Sequence, residues 1–152
     1  MAEKELDSLI LEDCGAVVQG MGYDIVELRA VRTKKGAQVY IVIYAAKGVG
    51  LDDCSQVLKT LRPRIQMLTN TPDVHIEVSS PGTDRLIRTP REYRIFRGRG
   101  IRVLAGDSKE WSAGILGDIQ GECLTLSSGG EIKTFAFSDI RKAKLDHTQE
   151  DV

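Results

Sequence analysis

Seven arginines stand between positions 85 and 102, at 85, 88, 91, 94, 97, 99 and 102, against one acid, Glu92, and no lysine. A guanidinium is planar and offers paired donors that match a phosphate, whereas an ammonium acts as a point charge. The run therefore points to anion recognition, with Arg85, Arg88, Arg91, Arg94, Arg97 and Arg99 as candidate phosphate contacts. On a helix, a three-residue step from Arg85 to Arg97 would precess slowly along one side and form a stripe. Just ahead of it stands Ser79-Ser80-Pro81-Gly82, the candidate turn motif. Pro81 fixes one torsion and Gly82 permits a left-handed one, so a sharp turn is expected to present Arg85 from a defined position. The plainer alternative is that Arg85 pairs with Asp84 or Glu77 and pins two domains together.

Other chemistries find little support. Ser79, Ser80 and Asp84 near His75 resemble a nucleophile with partners, but residues of one short strand and its turn do not converge on a point, and no GxSxG elbow is present. Gly48-Val49-Gly50 is too short for a phosphate loop. Cys14, Cys54 and Cys123 are odd in number and far apart, with no CxxC or Cys/His cluster, which argues against a metal site or a disulfide. They read as small apolar side chains, and His75 and His147 as surface residues. A non-enzyme without cofactor or metal is expected.

Net charge is only -1, yet its distribution is uneven. Residues 1–27 hold seven acids (Glu3, Glu5, Asp7, Glu12, Asp13, Asp24, Glu27) against Lys4, whereas residues 85–102 hold seven arginines against Glu92. Such segregation gives a surface two signs of potential, which orients a charged partner. Hydrophobic content of 41% with 28% charged residues is that of a globular protein. The longest apolar runs fall far short of a membrane span, and MAEKELDSLI lacks the basic start and apolar stretch of a signal peptide. A cytoplasmic, monomeric protein without membrane association is expected.

The elements that position these residues follow from periodicity. Leu6, Ile10, Cys14 and Val17, widened by Leu9 and Ala16, predict an amphipathic helix that ends at Gly20 and Gly22. Residues 23–31 and 39–44 are rich in β-branched and aromatic side chains and flank a polar turn with Gly36, which predicts a hairpin. Its alternation would set Ile25, Glu27, Arg29, Tyr40, Val42 and Tyr44 on one side as an aromatic surface, for which packing against the rest of the protein is expected ahead of stacking on RNA bases. Asp52 is placed to cap a second helix carrying Cys54, Leu58, Leu61, Ile65 and Leu68, with Pro63 expected to kink or restart it. Val74, Ile76 and Val78 alternate as a third strand. The predicted class is α+β: an N-terminal α-β-β-α-β domain over 1–80 with both helices on one sheet face, a linker at 81–90, and a C-terminal domain over 91–152. In the latter, segments 100–104, 111–119, 122–127, 131–137 and 142–145 predict five short strands of a small barrel, followed by a polar, frayed tail from 146.

The run EVSSPGTDR at 77–85, with GLDDC at 50–54 before it, resembles the bacterial ribosome maturation factor RimP family. The likeness extends along nearly the whole chain, including a tryptophan followed by a glycine, here Trp111 and Gly114. It implies an α/β N-terminal domain, an SH3-like or Sm-like C-terminal barrel, and non-catalytic association with the maturing small (30S) ribosomal subunit. The implied partners are rRNA and a small-subunit ribosomal protein near the decoding region. One departure stands out: Leu86 follows the motif arginine where the family usually has proline, which implies a less stiff connection. An alternative reading is a protein-binding module that uses the barrel and the acidic first helix without touching RNA.

Overall fold

The computed structural model describes the backbone of residues 2–150 and the side chains of residues 6–150. The chain divides into two compact units, Met1–Pro81 and Gly82–Val152.

The first unit runs α1 (Ala2–Gly20), β1 (Asp24–Arg32), β2 (Ala37–Tyr44), α2 (Leu51–Thr69) and β3 (Val74–Ser79). β2 is the middle strand, antiparallel to β1 and parallel to β3. Parallel neighbours need a long crossover, and α2 supplies it. Leu6, Ile10, Cys14 and Val18 of α1 and Val57, Leu61 and Ile65 of α2 enter one buried cluster with Val39, Ile41 and Ile43 of β2, so both helices cover the same face of the sheet. The α1 stripe is narrower than the sequence suggests. It steps by four residues to Val18, leaving Leu9 47% exposed and Ala16 at the surface.

A register shift between Ile25 and Glu27 corrects the predicted alternation in β1. The extra residue of a bulge turns following side chains to the other face. Ile25 is therefore in the helix-covered core, whereas Glu27 and Arg29 lie opposite Val42 and Tyr40. Tyr44 is buried, as the packed reading of that face expects, and Tyr40 is half-buried, with the Arg29 guanidinium 5.4 Å from its ring centre. In the hairpin turn, a Cβ on Gly36 would overlap the Asp73 carbonyl, which accepts a hydrogen bond from Ala37 N at 3.0 Å.

α2 neither restarts at Pro63 nor is capped by Asp52. It is continuous from Leu51 to Thr69, and the Asp53 carboxylate accepts from Gly50 N at 2.7 Å. Proline costs a helix one backbone donor and crowds the turn before it, and here Val57, Leu61 and Ile65 bury the helix face on both sides of the defect.

The second unit contains α3 (Pro90–Ile95), β4 (Gly100–Ala105), β5 (Ser112–Gln120), β6 (Cys123–Ser128), β7 (Glu131–Ala136), a 3-10 turn at Phe137–Asp139, β8 (Ile140–Leu145) and a second 3-10 turn at His147–Glu150. The five strands expected from the sequence are all present, in the order β7-β6-β5-β4-β8. Every pair is antiparallel. The expected barrel is not closed: β7 and β8 are the two edges of an open sheet. Register shifts between Leu116 and Ile119 and between Leu104 and Ala105 interrupt the ladder. Ile101, Val103, Leu116, Leu124, Leu126, Ala143 and Leu145 are buried, as alternation requires.

Within the expected linker, the chain from Arg85 onwards pairs with β8: Ile87 N donates to Ala143 O at 2.8 Å, Leu145 N donates to Arg85 O at 2.9 Å, and Leu86 bridges Lys144. The tail is ordered to Glu150, whose carboxylate accepts from Gly100 N and from Arg99 Nε, each at 2.8 Å. Residues 151 and 152 lie outside the described residues.

Candidate nucleic-acid interface

The motif sits where the two units divide. Ser79 ends β3 opposite Val42, and Ser80 and Gly82 are exposed. Arg85 N donates to Gly82 O at 3.2 Å, which closes the turn. The left-handed torsion expected at Gly82 is absent, and a Cβ there would meet only the Asp84 carboxylate at 3.8 Å, so nothing in the local packing explains that glycine.

The arginines separate into different classes. Arg85 is not presented to solvent. Its side chain is 12% exposed and pairs at 3.5 Å with Glu92, itself 8% exposed. This partner is an acid of the same unit. Glu92 holds this position because α3 begins with a helix-start signature. Thr89 caps it and accepts from Glu92 N at 3.2 Å, Pro90 takes the first turn, and Glu92 reaches back to accept from Arg88 N at 3.2 Å. Six residues are too few for the arginine stripe that a long helix would carry. Arg88, Arg91, Arg94 and Arg97 are nevertheless all exposed. Arg97 has only a loose ion pair with Asp118 at 3.7 Å, both side chains being well solvated. Arg99 is held by Glu150 at 2.8 Å, and Arg102 lies 5.4 Å from the Trp111 ring centre.

Sequence reasoning missed the cations that β8 adds. Arg141 and Lys142 are exposed beside a groove of about 240 Å³ in the second unit, whose lining also includes Arg88, Pro90, Tyr93 and Phe137. Arg141 donates to Ser108 O, which orients its guanidinium. Tyr93 and Phe137 stack with centroids 5.2 Å apart. Burial, with Glu92 adding to it, pushes the Tyr93 hydroxyl up to about 12, so the ring is neutral at physiological pH. The available signal in the sequence was the pattern Arg141-Lys142-Ala143-Lys144, whose alternation puts Lys142 and Lys144 on one face of a strand and Arg141 on the other.

The other motif, at 50–54, explains itself through Asp53. Its carboxylate accepts from the Tyr23 hydroxyl as well as from Gly50 N, tying the start of α2 to the residue just before β1. Those two hydrogen bonds hold Asp53 below the usual carboxylate range, and the same bond raises the Tyr23 hydroxyl above its ordinary value. Lys47 lies 5.6 Å from the Tyr23 ring centre. These contacts make the motif a structural knot at the start of α2. Cys14 is buried and its thiol is pushed up to about 11, first by that burial and then by Asp13, which leaves it protonated and inert. Cys54 and Cys123 are half-buried free thiols. Among the described residues no cluster of acids, histidines and cysteines is arranged to hold a metal ion, and no helix is long and apolar enough to cross a membrane.

Residues 13–84 match the RimP N-terminal domain. The chain carries the N-terminal domain of the RimP family. The match takes in the second part of α1, the three-stranded sheet, α2 and the whole 79–82 turn, and it ends one residue before Arg85. Both motifs that first suggested RimP therefore lie in the matched region or at its border. RimP proteins are ribosome maturation factors without catalytic activity. The exposed arginines and the β8 groove lie beyond the RimP N-terminal domain, in the second unit.

Proposed function

We propose that the protein is a non-catalytic assembly factor that binds the small (30S) ribosomal subunit during its maturation, through contacts to rRNA and to a small-subunit ribosomal protein. The observation that carries this reading is the RimP N-terminal domain over residues 13–84. It is supported by the exposed cations Arg88, Arg94 and Arg97, which lie close together in sequence on the second unit. Exposed guanidinium groups on a folded scaffold suit phosphate contacts, which position a protein on RNA without reading its sequence. The protein acts as a cytoplasmic monomer. Arg85 is excluded from the RNA-contacting set, and Arg88, Arg91, Arg94, Arg97 and Arg99 are retained.

The test is co-sedimentation of the purified protein with small subunits, large subunits and whole ribosomes at two salt concentrations. Selective, salt-weakened binding to small subunits is expected. Equal binding to all three, or to none, would sink the reading. The competing view, a module that binds only protein, draws on the acidic α1, where Leu9 is 47% exposed. It predicts that association survives nuclease treatment of the subunit.

A further inference from the structure

The groove between α3 and β8 has a composition that phosphate binding alone does not require. Tyr93 and Phe137 stack at 5.2 Å and 25° along it, and Pro90 adds a further apolar wall. Arg88, Arg141 and Lys142 supply the charge, and no acid lines it among the described residues. Its volume of about 240 Å³ is below the roughly 300 to 1,000 Å³ of sites that enclose a whole cofactor or drug-sized ligand. One planar group with anionic neighbours is the occupant that fits this combination of size, aromatic lining and charge.

We propose that this groove takes one unstacked base of single-stranded RNA, packed against Phe137, which buried Tyr93 supports from behind, with Arg88, Arg141 and Lys142 on the flanking phosphates. The inference rests on the proposed function and names the kind of RNA feature it engages. A duplex cannot place a base there, because its bases are stacked and paired and its deep groove is closed to side chains. An acidic peptide is the rival occupant. Peptides in extended form gain affinity by adding a strand to a sheet edge. The outer edge of β8 is already occupied at Ala143 and Leu145 by residues 85–87 of the same chain. What remains open is mainly side chains, planar and cationic, which favours the base.

The experiment is fluorescence anisotropy of the full chain with a labelled, unstructured RNA decamer, the blunt duplex of the same length, and a peptide of alternating glutamate and phenylalanine. The wild type is expected to bind the single strand at least tenfold more tightly than the duplex or the peptide. Phe137→Leu should weaken single-strand binding by roughly five- to a hundredfold, the range found for loss of one base–aromatic stack, with no change in salt slope. Arg141→Ala with Lys142→Ala should lower the slope of log K against log salt by about 1.4. Both residues are exposed, so this second variant tests the assignment even if Phe137→Leu fails to fold. Equal affinity for strand and duplex, wild-type binding by both variants, or tighter binding of the peptide overturns the assignment. Parallel sedimentation with small subunits separates the two proposals. Variants that bind RNA like the wild type, in a protein that still binds small subunits, remove the groove and leave the proposed function standing. Phe137-dependent RNA binding in a protein that ignores small subunits does the reverse.

Discussion

Asp53 and Glu92 show how single carboxylates fix the two units, and each supports a prediction. Asp53 is held below its ordinary pKa of 3.8 by Tyr23 and by Gly50 N. A group depressed in this way contributes stability above its unfolded pKa, and the contribution disappears as pH falls through the folded value. Tyr23 is raised above 10.0 by the same bond, so its share is present below pH 10 and is lost at higher pH as the hydroxyl ionises. Asp53→Asn should therefore lower the melting temperature most near neutral pH, with the gap to wild type closing towards both pH 3 and the alkaline limit. A gap independent of pH in a melting series would show that the carboxylate contributes only by shape. Glu92 poses a different problem, because it faces the buried guanidinium of Arg85. Removing one partner of a buried pair leaves a charge with poor solvation, at a cost of about 3 kcal/mol. Glu92→Ala is expected to lose about that much in urea unfolding, and Arg94→Ala, at the surface, almost nothing. The seven arginines looked alike in the sequence. What distinguished them was a partner and a place in the sheet, neither of which residue type or spacing encodes.

At the level of elements, most of the order was legible, because the helical stripes of α1 and α2 and the apolar, β-branched segments between turn residues each correspond to an element among the described residues. The departures have local causes. A bulge after Ile25 reverses which side chains face the core, and alternation alone does not announce an extra residue. Short α3 was hidden among charged residues, although Thr89-Pro90-Arg91-Glu92 carries a cap, a first-turn proline and a returning acid. Thr89→Ala should cost about 1 kcal/mol in equilibrium unfolding. Thr89→Ser should recover nearly all of it, since serine retains the accepting oxygen. Failure of serine to rescue would assign the loss to packing instead. Barrel closure was over-read from strand number and spacing. Five antiparallel strands can form an open sheet equally well, and edges β7 and β8 are set by which strands pair, which is long-range information. The resulting β7 edge carries Ile132 at 72% exposure flanked by Glu131 and Lys133. Charges beside an edge strand discourage pairing with another chain.

At the scale of the whole chain, charge is segregated by sequence and the fold modifies it without erasing it. α1 keeps its acids: Glu12 is exposed, and Asp13 is engaged with Arg64 at 2.8 Å. The second unit withdraws Arg85, ties Arg99 to Glu150, and adds Arg141 and Lys142 from β8. Net charge of -1 therefore says nothing about where anions would bind, whereas the placement of each guanidinium does. Counterion release supplies the measurement that reads this placement. Each phosphate contact contributes about 0.7 to 0.9 to the slope of log affinity against log salt. Arg88→Ala with Arg94→Ala should lower the slope of small-subunit binding by about 1.4 to 1.8, because both side chains are exposed. Lys34→Ala with Lys35→Ala removes two equally exposed charges in the hairpin turn of the first unit and should leave the slope unchanged. Arg85→Lys should alter urea stability and not the slope, since its partner is Glu92. Equal loss of slope in the arginine and lysine pairs would mean that affinity follows overall charge, and the special role of the 88–97 segment would have to be abandoned.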